Sequence, residues 1–313
     1  MPPDNPSPAR RRRARRLALG GALVAAAAYV VGRRLAAEWA SVSPTLAAAF
    51  HVDGRWLGLT WLVQTVGGVV MVDTWRRIAT AMGVSARPAQ HARRYAFAAL
   101  AHVVPGGIWA PLGRLAAYGR ADAVAVGAAM TVEWVVLGVA GLVLYGATLP
   151  WATAGPAVGA LGLVAAAALG WAAIQPSVFR RLVTAGQRLV RADGGPVPMV
   201  PAGALSGWLA RSVVVLALSG AALYAFMRAV SPAASLADAV GIGAVTVALG
   251  NLVGPLPLTG IVKDLGMVLL LEPLYGSSAI ALGLVVAWRL WMVAVELSWA
   301  ALAAAWAAVD GAG

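Results

Sequence analysis

Residues 93–120 read RRYAFAALAHVVPGGIWAPLGRLAAYGR, and how this stretch folds decides the architecture of the chain. It is apolar enough to enter a membrane, yet Pro105, Gly106 and Gly107 stand in its middle. Proline removes a backbone donor and clashes with the preceding turn, and glycine lowers helix propensity, so a helix reaching this triplet stops. The pieces on either side, residues 95–104 and 108–118, are each about 15 Å long at helical rise, half of a hydrocarbon core of about 30 Å. Arg93 and Arg94 stand at one end and Arg120 at the other. The stretch is therefore expected to form a re-entrant hairpin that enters a membrane, turns near its middle and leaves by the same side. Broken helices at that depth survive only where protein or a water-filled cavity supplies hydrogen-bond partners, which makes the turn a candidate site.

Composition points the same way. Of 313 residues, 61% are hydrophobic, and mean hydropathy is +0.79. An all-α polytopic membrane protein is expected, with no separate soluble domain. The net charge of +12 is carried almost wholly by arginine, Lys263 being the single lysine. These arginines flank apolar spans instead of lining a polar face, so they read as orientation signals and attraction to anionic lipid, and nucleic acid is not an expected partner. The chain has no cysteine, which excludes disulfides, thiolate metal sites and thiol catalysis.

Taken in order, residues 1–16 are expected to form a disordered basic cytoplasmic tail, ending in the RRRRARR run of residues 10–16. Residues 17–313 then form one transmembrane domain of about six full spans and two re-entrant hairpins. Spans are expected at residues 17–32, 56–75, 123–149, 157–174, 205–227 and 279–303. The second hairpin comprises residues 239–253 and 260–271 around Gly254-Pro255-Leu256-Pro257. Arg76, Arg77, Arg87, Arg93 and Arg94 fix the far end of the second span as cytoplasmic. A full crossing at residues 95–118 would put Arg120 and the loop bearing Arg180, Arg181, Arg188 and Arg191 outside, whereas a hairpin keeps both inside. The location implied is the inner (plasma) membrane, with a cytoplasmic N-terminus; a homo-oligomer is compatible with the sequence.

An internal repeat supports the layout. Trp56 and Trp208, Gly68 and Gly220, Arg76 and Arg228, and Pro105 and Pro257 each differ by 152 positions. The halves, about residues 17–150 and 155–305, each read span, span, broken hairpin, span. With three crossings per half the second copy is inverted relative to the first, a pattern of transporters with discontinuous midplane helices.

Several residues could carry chemistry. The second half-helix of the first hairpin would aim free N–H groups of Gly106, Gly107, Ile108 and Trp109, with its positive dipole end, at the membrane centre, where they suit a phosphate. Arg114, two turns on, offers a bidentate fork. The plainer alternative makes the turn a packing kink and Arg114 a snorkelling side chain. Glu133 and Arg289, in mid-span, either line a substrate cavity or pair structurally across the halves. Lys263 and Asp264 either pair with each other or meet substrate, and Arg211 is expected to anchor at the interface. His102 has no second histidine or cysteine at metal-ligand spacing, so neither a metal nor another cofactor is expected. No hydrolase, P-loop or metalloprotease motif is present, so the chain is not expected to be an enzyme.

Three blocks resemble the lysylphosphatidylglycerol synthetase transmembrane family, also called the flippase-like domain family. They are Trp75-Arg76 through Gly83; His102 to Arg114, followed by Glu133; and Pro257 to Asp264, followed by Arg289. The last block departs from the family pattern, with Leu258 and Thr259 in place of two glycines and Lys263 and Asp264 in place of Arg and Glu. The resemblance covers roughly residue 56 to the end and lacks the aminoacyl-transferase domain. It implies binding and translocation of an anionic phospholipid or a polyprenyl-phosphate-linked headgroup such as a lipid-linked sugar. Pro105, Gly106, Gly107, Trp109, Arg114, Glu133, Lys263, Asp264 and Arg289 are the expected substrate-binding residues. A membrane-embedded transferase, with Glu133 or Asp264 as general base, and a non-transporting partner of a neighbouring enzyme are the alternatives.

Overall fold

The computed structural model describes residues 52–103, 109–119, 122–153, 155–189, 200–230, 235–253 and 259–310. The basic tail, the first expected span and the two turns carrying Pro105-Gly106-Gly107 and Gly254–Pro257 lie outside them. Among the described residues every regular element is helical, as the apolar runs without strand-like alternation require. Five helices are long and apolar enough to cross a membrane. They are α1 (Gly54–Ala81), α4 (Ala123–Thr153), α5 (Pro156–Ala173), α7 (Ala202–Val230) and α10 (Ser278–Asp310). The chain is thus an all-α membrane protein.

The expected first hairpin is made by α2 (Pro88–Ala99), which tightens into a 3-10 turn over Leu100–Val103, and by α3 (Trp109–Tyr118). Its legs run antiparallel. Tyr118 at the end of α3 meets His91 at the start of α2, and a Cβ on Gly113 would sit 3.7 Å from Ala98 Cα. The first leg begins at Pro88, seven residues before the sequence suggested, because Pro88 supplies the φ of a first helical position while lacking an N–H that would be orphaned there anyway.

The second hairpin differs more from expectation. Its legs, α8 (Leu236–Val253) and α9 (Thr259–Tyr275), hold 18 and 17 residues, about 25 Å each at helical rise. They are nearly bilayer-long and outrun the expected pieces at residues 239–253 and 260–271. Nothing stops α9 at Leu271: Pro273 is tolerated in its last turn, and the helix ends where Gly276 takes φ 64° and its N–H reaches Glu272 O at 2.8 Å. A second difference lies at the arginine cluster after α5. Residues 176–189 are not a loop but an amphipathic helix, α6 (Pro176–Leu189), which buries Phe179 and Val183 against α4 and exposes Arg180 and Arg181. The buried pair stands one turn apart, the spacing that makes one apolar face.

α1 and α7 lie antiparallel along much of their length. The Asp53 N–H donates to Ala229 O at 3.0 Å, Trp56 meets Tyr224 edge-on at 6.2 Å, Gly67 faces Leu218, and Asp73 faces Arg211. α4 packs on α8, and α10 packs on α2 and its 3-10 turn. These contacts depend on small residues. A Cβ on Gly220 would fall 2.5 Å from Val240 Cα, and one on Gly141 2.6 Å from Ala244 O, so α8 reaches both neighbours at backbone contact. One core gathers Trp75, Ile78, Val126, Met130, Phe179 and Trp208; another gathers Leu223, Met227, Ile242, Leu271 and Leu284. α5 stands at the edge, with Leu161, Val164 and Trp171 exposed as lipid-facing positions would be.

Candidate functional site

Two ion pairs carry the mid-helix charges. Arg114 is the sixth residue of α3 and pairs with Glu133, the eleventh of α4. Asp264 is the sixth residue of α9 and pairs with Arg289, the twelfth of α10, Oδ2 lying 3.1 Å from Nη1. In each half the second hairpin leg is therefore tied to the long helix that follows, but with the charges exchanged. The first half puts its cation on the leg, the second its anion.

The first pair is sealed. The Arg114 and Glu133 side chains are 9% and 3% exposed. The guanidinium stacks on the Trp75 ring at 4.3 Å and on the Tyr95 ring at 4.4 Å, adding cation–π attraction to the ion pair. A polar chain fixes the cage: Trp75 Nε1–H donates to Tyr118 Oη at 2.8 Å, Tyr118 Oη lies 2.6 Å from His91 Nδ1, and Arg94 covers the Tyr118 ring at 4.6 Å. Glu133 Oε1 and His91 Nε2 have no hydrogen-bond partner among the described residues. The fork expected to receive a phosphate is thus engaged by Glu133 and flanked by two rings whose centroids are 6.1 Å apart.

The second pair is open. Arg289 is 50% and Asp264 30% exposed. Lys263, beside Asp264, is exposed and lies within electrostatic reach of Asp264, Glu296 and Arg289. Its stem runs over Gly250 of α8, where a Cβ would fall 2.5 Å from Lys263 Cδ. A Cβ on Gly260 would meet Arg289 Nη2 at 3.6 Å, so the guanidinium lies along the first turn of α9. The arrangement can accept an anion without unpacking a core.

Several expectations need correcting here. Asp264 pairs with Arg289, a partner the sequence reading did not name, and also stands within electrostatic reach of Lys263. Glu133 and Arg289 do not lock the halves together, since each finds its partner within its own half. Arg211 is more than an interfacial anchor, since it lies 3.9 Å from Asp73 and donates to Gly207 O at 3.1 Å. Trp109 is exposed, whereas Pro105, Gly106 and Gly107 lie outside the described residues. A cavity of about 10 Å³ among Val135, Phe179, Leu205 and Leu209 is purely apolar and barely of water size, so it is not the midplane cavity expected around the charges.

Sequence reasoning missed Trp75, Tyr95, Tyr118 and His91, which build the cage, and Asp73, which also holds Arg76 at 2.6 Å and Arg77 at 2.7 Å. The signal for Asp73 was present in its i+3 and i+4 arginines. Among the described residues no group of histidines and carboxylates could hold a metal. Comparisons with protein-family models, curated proteins and solved structures find no match to this chain.

Proposed function

We propose that this chain is a lipid-handling membrane protein whose second hairpin receives an anionic, phosphate-bearing headgroup and passes it across the bilayer. The observation that carries this reading is the accessible Lys263–Asp264–Arg289 group, which joins the second leg of the hairpin to α10, a helix apolar enough to cross a membrane. Ionisable side chains at such positions are costly unless they serve a substrate, an ion or a partner. Arg289 supplies a planar fork suited to phosphate, and Lys263 a second cation beside it. The resemblance of the three sequence blocks to the flippase-like domain family supports the same substrate class, and the proposed family membership rests on those blocks alone.

The antiparallel packing of α1 on α7, the counterpart contacts of α4 with α8 and α10 with α2, and the matched ion pairs support two inverted repeats. Movement of one repeat against the other would then expose the site to each side in turn. Within this scheme Arg114 and Glu133 hold the first hairpin in place and do not contact the lipid. The transferase alternative loses one of its two candidate bases, because a general base must reach its proton and Glu133 is sealed behind Arg114, whereas Asp264 is accessible.

Native mass spectrometry of the purified protein tests the proposal. The wild type should retain a phosphate-bearing lipid, and Arg289→Gln should lose it while remaining folded. Equal lipid retention by the variant would remove the second hairpin as the binding site.

A further inference from the structure

The second ion pair differs from the first in one respect that matters for a ligand: it can come apart. Separating Arg114 from Glu133 would bury two unpaired charges behind Trp75 and Tyr95, but separating Arg289 from Asp264 leaves both groups accessible to solvent or ligand. Asp264 meets Arg289 through Nη1 and Oδ2 at 3.1 Å, a contact that spans one edge of a guanidinium with five donors. Any anion that takes the whole fork must therefore compete with this carboxylate.

The competition depends on charge. A phosphodiester carries one negative charge, so exchanging it for the Asp264 carboxylate at Arg289 replaces like with like and gains little Coulomb energy. A phosphomonoester or pyrophosphate carries more. Its additional charge can be met by Lys263, which is exposed next to Asp264 and within reach of Arg289. Glu296 also acts on Lys263 and opposes the more highly charged anion more strongly, so the preference is what remains after the attraction of Arg289 and Lys263 outweighs it.

We propose that Asp264 is a displaceable internal counter-ion of Arg289, selecting lipids that end in a phosphomonoester or pyrophosphate over lipids joined through a phosphodiester. The inference rests on the second hairpin being the headgroup site. Asp264 does not bind the lipid: it occupies the fork when no lipid is present and sets the charge a lipid must bring to replace it. Arg289 and Lys263 make the contacts.

The test uses the full-length protein in detergent with short-chain phosphatidic acid and short-chain phosphatidylglycerol at about pH 8, where a phosphomonoester has lost its second proton. Calorimetry or native mass spectrometry reads the two affinities. The wild type should prefer phosphatidic acid roughly tenfold, the order expected for one additional charge interaction at a half-exposed site. Asp264→Asn should bind phosphatidylglycerol more tightly and lose most of the preference, and Asp264→Glu, which keeps the charge, should retain it. An Asn variant that binds both lipids as the wild type does, or both more weakly, overturns the proposal, as does a Glu variant without the preference. Arg289→Gln separates the two levels of inference. If it binds both lipids normally, the site itself is wrong. If it loses both while Asp264→Asn keeps the wild-type preference, the site stands and the selector fails.

Discussion

Replacing Arg114 by Met, Glu133 by Gln, and both together measures what the sealed pair contributes. Met keeps the length of the Arg114 stem but leaves the Glu133 carboxylate, 3% exposed, without its cation. Removing one partner of a buried ion pair costs about 3–5 kcal/mol, most of it from the charge left behind. Glu133→Gln leaves the other charge behind, but Arg114 still lies against Trp75 and Tyr95 at 4.3 and 4.4 Å. Cation–π attraction to a desolvated guanidinium amounts to about 2 kcal/mol, so Glu133→Gln should cost roughly 1–3 kcal/mol, clearly less than Arg114→Met. The double variant removes both charges and should recover most of the loss, because buried ion pairs replaced by neutral groups of similar volume are often near neutral. Unfolding of the purified protein by titration of dodecyl sulfate into mixed micelles, read by circular dichroism, gives the three free-energy changes. Additive costs in the double variant would refute the sealed pair as a coupled unit, and a larger loss for Glu133→Gln than for Arg114→Met would refute the role of the rings.

Two further outcomes follow from topology and packing. Single cysteines at Asp122 and Asp193 of this cysteine-free chain should resist an impermeant thiol reagent applied to intact cells and react after permeabilisation; labelling of both from outside would mean that residues 95–118 cross the membrane. Gly220→Ala sets a Cβ 2.5 Å from Val240 Cα and should destabilise by about 1–3 kcal/mol, whereas Gly58→Ala, with nothing within 4 Å, should gain up to about 1 kcal/mol from helix propensity. Melting temperatures of the two variants should therefore move in opposite directions.

The parts of the fold that depend on local chemistry were legible in the sequence. Apolar length marked the five described spans, and Pro105-Gly106-Gly107 falls between the two described legs of the first hairpin, since both signals act over a few residues. The structure adds that its legs are antiparallel, as the contact of His91 with Tyr118 requires. The site was legible only as a list of expensive charges. Which charge meets which depends on helix rotation: sequence proximity suggests Lys263 for Asp264, and only the helix arrangement shows that it also meets Arg289, 25 positions away. The aromatic cage was hidden for the same reason. Trp75, Tyr95 and Tyr118 resemble ordinary interfacial aromatics until α1, α2 and α3 bring the first two against the Arg114 guanidinium and the third under Arg94. The length of α9 was misjudged because its apolar run was ended at Glu272, whereas the helix carries that residue and Pro273 within its last turn.

The seam between α1 and α7 has a consequence for symmetry. Where two identical surfaces meet around a two-fold axis, a residue on the axis touches its own copy. With a repeat offset of 152, Gly67 corresponds to Ser219, and its hypothetical Cβ lies 3.5 Å from Leu218 Cβ, one position away. On the inverted-repeat reading, the axis therefore passes through the seam beside Gly67. On that reading the halves meet as the subunits of an isologous dimer do, yet without identical chemistry: one Arg–carboxylate pair is sealed behind rings while its counterpart, with the charges exchanged, is open.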